Sequence, residues 1–203
     1  YALKTPEDNR AYYQRFAANY DQDFAAGLGY IYPKAVADAF LDLTDLPNGP
    51  VCDIGCGTGL VARHLKAKSP DIVIDGVDIS ADMLAVAADK SLYKDLYEVD
   101  LTGDITSIPT GYAAIISAGT FTHGHLGPEP LRHLIRHCQV GAVFCIGVNQ
   151  QHYKTHDFAL YLGSLVADNV ITSPDILETA IYARKADKHS GDLALICQFR
   201  VVG

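Results

Sequence analysis

A glycine-rich turn between an apolar run and a helix is the first segment whose residues could do chemistry. Residues 51–60 read Val-Cys-Asp-Ile-Gly-Cys-Gly-Thr-Gly-Leu. Glycines let the backbone turn tightly and let a ligand lie against bare main chain. The helix that follows would direct free N–H groups at an anion. We therefore expect a cofactor pocket at this turn, at the carboxyl end of the preceding strand.

Asp53, two residues before the first glycine, separates two classes of cofactor. A dinucleotide fingerprint needs glycine where this chain has Leu60. A carboxylate would also repel a diphosphate, whereas it would attract the ammonium group of S-adenosyl-L-methionine. Backbone N–H groups would bind the carboxylate of the same molecule. The charge pattern therefore favours S-adenosyl-L-methionine over NAD.

Asp78 follows the next apolar run, about 20 residues past the glycines. An acidic side chain at that place can accept hydrogen bonds from both ribose hydroxyls of an adenosine cofactor. Ser80 is the predicted N-cap of the helix that carries Met83.

The histidines are the candidates for a general base or for metal ligands. His123 follows the predicted fourth strand and is the candidate general base for an acceptor that carries a proton. His133 with His137, and His152 with His156, have metal-compatible spacing, but neither pair has a third ligand placed beside it. We expect no metal.

Apolar runs alternating with amphipathic stretches determine the predicted fold. Strands are predicted at 51–54, 72–77, 96–99, 113–117 and 142–147, with helices between most of them. This alternation predicts a doubly wound α/β sheet of parallel strands. Two last strands, 178–184 and 193–202, are joined by the polar turn 187–192. So short a connection fits only a hairpin, so the last strand should run antiparallel to the others.

The first 45 residues read as helical. Thr5 is a predicted N-cap with Pro6 behind it, and a second helix is predicted at 32–43. Aromatic residues spaced four apart predict one face of the first helix: Tyr12, Phe16, Tyr20 and Phe24.

Composition bounds the class of protein. The 203 residues suit one structural unit, and 49% hydrophobic residues support a full core. A net charge of −8 without a Lys/Arg cluster argues against nucleic acid, and no apolar run is long enough to span a bilayer. Five cysteines without metal spacing indicate small buried side chains in a reducing compartment. We expect a cytoplasmic monomer or homodimer that contacts no membrane.

Four segments in order resemble the motifs of class I methyltransferases: 51–60, 76–80, 98–101 and 113–119. The resemblance covers nearly the whole chain from about residue 12. The chain is most similar to the methyltransferase-like proteins of the Williams–Beuren region type, because of Tyr20-Asp21, the Cys-Gly-Thr-Gly-Leu-Val-Ala run and Asp-Ile-Ser-x-x-Met-Leu.

This resemblance implies a seven-stranded Rossmann-like sheet with a reversed last strand and an N-terminal helical cap, residues 1–45, on a domain of residues 46–203. It also implies roles for single residues. The methionine part of the donor would contact Asp53, Gly55, Cys56 and Gly57, and the ribose would contact Asp78. The adenine and the sulfur would contact Ile79, Met83, Asp100, Leu101, Ser117, Ala118 and Gly119, and Tyr12 or Tyr20 would close over the donor.

Asp100, Met83 and the aromatic residues also have purely structural interpretations, as a turn residue and as packing side chains. The expected reaction is in-line methyl transfer to a small-molecule acceptor, with S-adenosyl-L-homocysteine as product. The chain lacks the Asn/Asp-Pro-Pro-aromatic motif of many nucleobase and glutamine methyltransferases. Three alternatives stay open: a non-catalytic regulatory module that binds the cofactor, an NAD-dependent oxidoreductase and an aminopropyltransferase.

Overall fold

The computed structural model describes residues 5–27, 29–183 and 191–203. Its centre is a seven-stranded sheet in the order β3-β2-β1-β4-β5-β7-β6. The strands are β1 Val51–Ile54, β2 Ile74–Asp78, β3 Leu96–Glu98, β4 Tyr112–Phe121, β5 Cys138–Asn149, β6 Asp175–Ala180 and β7 Leu193–Arg200. Strands β1 to β5 pair in parallel, while β7 pairs antiparallel with both β5 and β6. The predicted doubly wound sheet with a reversed last strand is confirmed.

Among the described residues, seven α-helices surround this sheet. They are α1 Pro6–Phe16, α2 Tyr32–Leu41, α3 Leu60–Lys68, α4 Ala81–Asp89, α5 Pro130–Ile135, α6 Gln150–Thr155 and α7 Phe158–Ala167. Alternate side chains of the central strands enter two cores, as the two-residue period of a strand requires. Helices α2 and α3 cover one face, and α5 and α7 cover the other. None of the helices that the structure describes has the length and apolar character needed to cross a bilayer.

The N-terminal segment changes its helical geometry after α1. Thr5 caps α1 as predicted, in a reciprocal capping box with Asp8. The α-helix then ends at Phe16, followed by a 3-10 turn, Ala17–Asn19, and a π-helical segment, Tyr20–Ala26. Each change of helix type alters the angle between successive side chains. The predicted single aromatic face is therefore wrong: Phe16 is 45% exposed, and the side chain of Phe24 lies outside what the structure describes.

The C-terminal hairpin is present, with Ala180 opposite Leu193. Strand β6 begins at Asp175, three residues before the predicted start. Residues 184–190, which include most of the predicted turn and the predicted end of the strand at Arg184, lie outside the described residues. An isolated bridge between Tyr30 and Tyr182 joins the N-terminal segment to this hairpin.

Candidate functional site

The glycine turn leaves β1 and enters α3 as the sequence predicts. Gly55, Gly57 and Gly59 all have positive φ, at +62°, +53° and +88°. A side chain is strained in that region, and at Gly55 it would also clash, because a Cβ there would lie 1.9 Å from the hydroxyl of Thr120. At Gly57 the nearest atom to an added Cβ would be the methyl group of Met83, at 3.4 Å. These glycines therefore keep the main chain bare where β1 ends.

Asp78 lies at the end of β2 and joins this turn to the next helix. Its Oδ2 accepts a hydrogen bond from the N–H of Gly57 at 2.8 Å, and its Oδ1 accepts one from the N–H of Ser80 at 2.9 Å. Ser80 in turn caps α4 by accepting from the N–H of Met83. Burial raises the pKa of the Asp78 carboxyl, and the backbone donors oppose that rise. The carboxylate is therefore fixed in position with lone pairs still available.

A cavity of about 390 Å³ opens at the carboxyl ends of these strands. That volume is within the range of small-molecule sites. Predicted site residues from helices, strands and the loops that follow the strands meet there: Tyr20, Gly55, Cys56, Gly57, Asp78, Ile79, Met83, Asp100, Leu101, Ala118, Gly119 and His123. Asp100 also forms the turn named above as its structural interpretation, since one of its oxygens accepts from the N–H and hydroxyl of Thr102 at 2.9 and 2.6 Å.

Tyr12 and Ser117 do not line the cavity. The ring of Tyr12 packs on Phe16 instead, at 4.8 Å between centroids. Ser117 is fully buried and its hydroxyl donates to the carbonyl oxygen of Ile54 at 2.9 Å, which ties β4 to β1. Helix phase turns Tyr12 away from the cavity lining and sheet pairing engages Ser117, and the donor contacts expected for these two residues stay predictions.

Asp53 also lies behind the cavity rather than in its lining. Its Oδ2 accepts from the Tyr93 hydroxyl at 2.7 Å, and its fully buried Oδ1 has no partner among the described residues. Burial raises the pKa of this carboxyl to about 7, opposed by the Tyr93 hydrogen bond and assisted by the charge of Asp78. Asp53 therefore lies outside the cavity lining, whereas the sequence predicts a direct contact with a ligand. Its neighbours Cys52 and Ile54 point into the α5–α7 core, so strand alternation turns Asp53 to the other face.

Several cavity residues have no counterpart in the sequence prediction. They are Asn9, Tyr13, Tyr30, His125 and Tyr182. The Tyr13 hydroxyl lies 3.3 Å from Nε2 of His125. Burial lowers the pKa of His125 to about 4, so its imidazole is neutral near pH 7 and serves as a hydrogen-bond partner. The four-residue spacing of the aromatic residues pointed to Tyr12 as the residue that closes over the donor, and no sequence signal distinguishes Tyr12 from its neighbour Tyr13.

A polar clasp fastens the N-terminal segment to the glycine turn. Lys90 at the end of α4 binds Asp21 at 2.5 Å and the carbonyl oxygen of Thr58 at 2.6 Å. The Thr58 hydroxyl donates to the other oxygen of Asp21 at 2.6 Å. Both charged side chains are about three quarters buried. The clasp therefore connects the π-helical segment to the turn between β1 and α3.

The two histidine pairs have different surroundings. His152 is buried, and its Nε2 lies 2.8 Å from the carbonyl oxygen of Leu126, while its ring packs against His123 and His156. His137 contacts backbone carbonyl groups through Nδ1. Within the described ranges, no three His, Cys, Asp or Glu side chains are grouped as metal ligands.

Comparison with known proteins identifies the domain. A family model described as a methyltransferase domain matches residues 51–141, which contain the glycine turn, Asp78, Asp100 and the exit of β4. Residues 51–141 are therefore similar to methyltransferase domains. The cofactor of this family is S-adenosylmethionine.

The curated relatives that match this chain include methyltransferases with different named acceptors. Human Methyltransferase-like protein 27 is 34% identical over 120 residues, 57% of this chain and 47% of the relative. The demethylmenaquinone methyltransferase of Thermotoga maritima is 30% identical over 139 residues, which are 67% of this chain and 57% of that relative. A ribosomal RNA small subunit methyltransferase C from Ectopseudomonas mendocina is 33% identical over 107 residues, 49% and 32%. The chain thus spans about half the length of the first two.

Among solved structures, the magnesium protoporphyrin IX methyltransferase of Synechocystis with bound cofactor superposes with a TM-score of 0.64. The match covers 100% of this chain and 99% of that one at 16% identity. At that identity the likeness bears on the fold, and it agrees with the sheet described above.

Proposed function

We propose that this chain binds S-adenosyl-L-methionine and catalyses transfer of its methyl group to a small-molecule acceptor. The observation that carries the proposal is the Asp78 carboxylate, held by the N–H groups of Gly57 and Ser80 at the edge of a cavity beside bare glycine backbone. When bound, the cofactor supplies a methyl group on a positively charged sulfur, which is already activated.

The residues present suit this cofactor in shape and charge. The lone pairs of Asp78 would take the ribose hydroxyls, and Ile79, Met83 and Leu101 would flank the adenine. The bare main chain from Gly55 to Gly57 would take the methionine part, with Cys56, Ala118 and Gly119 beside it. Asp53 would contribute negative potential from behind the turn rather than a direct contact.

The protein's part in the reaction is alignment and exclusion of water. The N-terminal segment, fastened by Lys90, Asp21 and Thr58, places Tyr13 and Tyr20 over the cavity. We assign it the role of a cap, as residues 1–45. His123 is the proposed base where the acceptor carries a proton, because it lines the same cavity.

The charge of the chain and the names of its relatives bear on the acceptor and the subfamily. The net charge of −8 and the demethylmenaquinone relative support a small molecule, whereas the ribosomal RNA relative supports a larger one. The identity with human Methyltransferase-like protein 27 supports placement in the Williams–Beuren-type branch.

Calorimetry with S-adenosylmethionine and S-adenosylhomocysteine tests the cofactor site. We expect both to bind the wild type, and Asp78→Ala to lose at least about 1.5 kcal/mol of binding free energy, because a charged hydrogen-bond acceptor is removed. Asp82→Ala, an exposed carboxylate on α4, is the matched control and should bind as the wild type does. Equal affinity of Asp78→Ala and wild type would refute the ribose assignment.

A second experiment addresses turnover. The protein is incubated with cofactor labelled in the methyl group and, in parallel, with a metabolite extract or total RNA. We expect label in the metabolite fraction. Label confined to RNA would contradict the small-molecule proposal, and cofactor binding without any transfer would favour a regulatory module.

A further inference from the structure

Asn9 is a buried polar residue on α1 whose side-chain orientation is determined by its partners. It is 8% exposed. Its Nδ2 lies 3.1 Å from the carbonyl oxygen of Thr5 and 3.0 Å from that of Gly124. Both partners are backbone carbonyl groups, which only accept hydrogen bonds, so the nitrogen end of the carboxamide must face them. The oxygen end must therefore point the other way.

That oxygen has no hydrogen-bond partner among the described residues, although it is fully buried. Asn9 is also part of the cavity lining. A buried acceptor without a donor is costly, and native proteins rarely leave one. The arrangement is what a ligand with an N–H or O–H group would complete.

The course of the N-terminal segment indicates which part of a ligand lies there. Asp21, at the C-terminal side, is bound to Thr58 in the glycine turn. Burial raises the pKa of the Tyr13 hydroxyl, and the neighbouring Asp78 carboxylate raises it further. Asn9 precedes Tyr13 by one helical turn and is therefore further along the chain from Asp21.

The loop that Asn9 binds gives an independent indication. Gly124, its long-range partner, is two residues before Leu126. Leu126 lines the main cavity and also a smaller neighbouring pocket together with Leu101 and Thr102. Asn9 therefore contacts the loop that borders the residues following β3, and the adenine is proposed to lie against those residues.

We propose that Asn9 Oδ1 accepts a hydrogen bond from the 6-amino group of the cofactor's adenine. The amino group has two N–H bonds, so Asn9 and Asp100 can each take one. One oxygen of Asp100 is already engaged by Thr102, which makes a second acceptor more valuable. This inference rests on the proposed function, because it concerns the same cofactor.

Calorimetry with two ligands tests it: S-adenosylhomocysteine and S-inosylhomocysteine, in which a carbonyl oxygen replaces the 6-amino group. We expect the wild type to prefer S-adenosylhomocysteine by at least about tenfold. Asn9→Leu should lower the affinity for S-adenosylhomocysteine by about tenfold and change that for the inosine analogue less than about twofold. The matched control is Asn19→Leu, at an exposed asparagine of the same segment, which should keep the wild-type preference.

The ratio of the two affinities is measured on one variant, so a fraction of unfolded protein affects both ligands alike. An unchanged ratio in Asn9→Leu, whether both affinities fall together or neither does, overturns the role of Asn9 and leaves the proposed function intact. A wild type that binds neither ligand overturns the proposed function itself, and the Asn9 inference with it.

Discussion

Replacing Asp53 with asparagine should change how the stability of the unliganded protein depends on pH. The carboxyl is fully buried, with one oxygen bound to Tyr93 and the other without a partner among the described residues. Its pKa is about 7 in the folded chain, against about 3.9 in an unfolded one. The folded state therefore holds this proton more tightly than the unfolded state does.

The sign of the effect follows from proton binding. Between about pH 4 and about pH 7 the folded state binds more protons than the unfolded state, so the free energy of unfolding falls as pH rises. Below that pH window the Asp53 carboxyl does not lower the free energy of unfolding, and above it the full decrease is present. A shift from about 3.9 to about 7 gives a full cost of about 4 kcal/mol, of which about 2.5 kcal/mol develops between pH 5 and pH 8.

Urea denaturation at about pH 5 and about pH 8 measures this quantity. The free energy of unfolding of Asp53→Asn, minus that of the wild type, should be about 2.5 kcal/mol larger at the higher pH. Asp82→Asn, at an exposed carboxyl, should show no such change. Tyr93→Phe should steepen the wild-type trend, because it removes the hydrogen bond that lowers the pKa of Asp53. A difference that is the same at both pH values would refute the reasoning.

Three further substitutions test the turn and the cap. Gly55→Ala should destabilise the fold by at least about 2 kcal/mol, since its Cβ would meet Thr120 at 1.9 Å; Gly57→Ala should cost less, and urea denaturation giving equal costs would contradict the steric account. Lys90→Ala should lose about 1 kcal/mol of stability through the broken contact with Asp21, and limited proteolysis should cleave the N-terminal segment faster. Cleavage at the wild-type rate would show that the clasp does not restrain the segment.

The sequence by itself determined the sheet and the centre of the site. Strand β1 was predicted at its observed bounds, and Ser80 was predicted as the cap of α4. The reversed β7 followed from a connection too short for a crossover. These features depend on residues close together along the chain: an apolar run, the glycines or the cap that ends it, and the helix or strand that comes next.

Only the tertiary structure decided which side chains reach the cavity. The ring of Tyr13 enters it and that of Tyr12 does not, because the packing of α1 on α4 sets the phase of the helix. Asp53 faces Tyr93 because successive strand residues point to opposite faces, a signal that strand parity did contain. The carboxamide of Asn9 is oriented by a hydrogen bond to Gly124, which is 115 residues away in the sequence. Contacts between distant parts of the chain fix the orientations of Tyr13 and Asn9, and local sequence patterns do not encode those contacts.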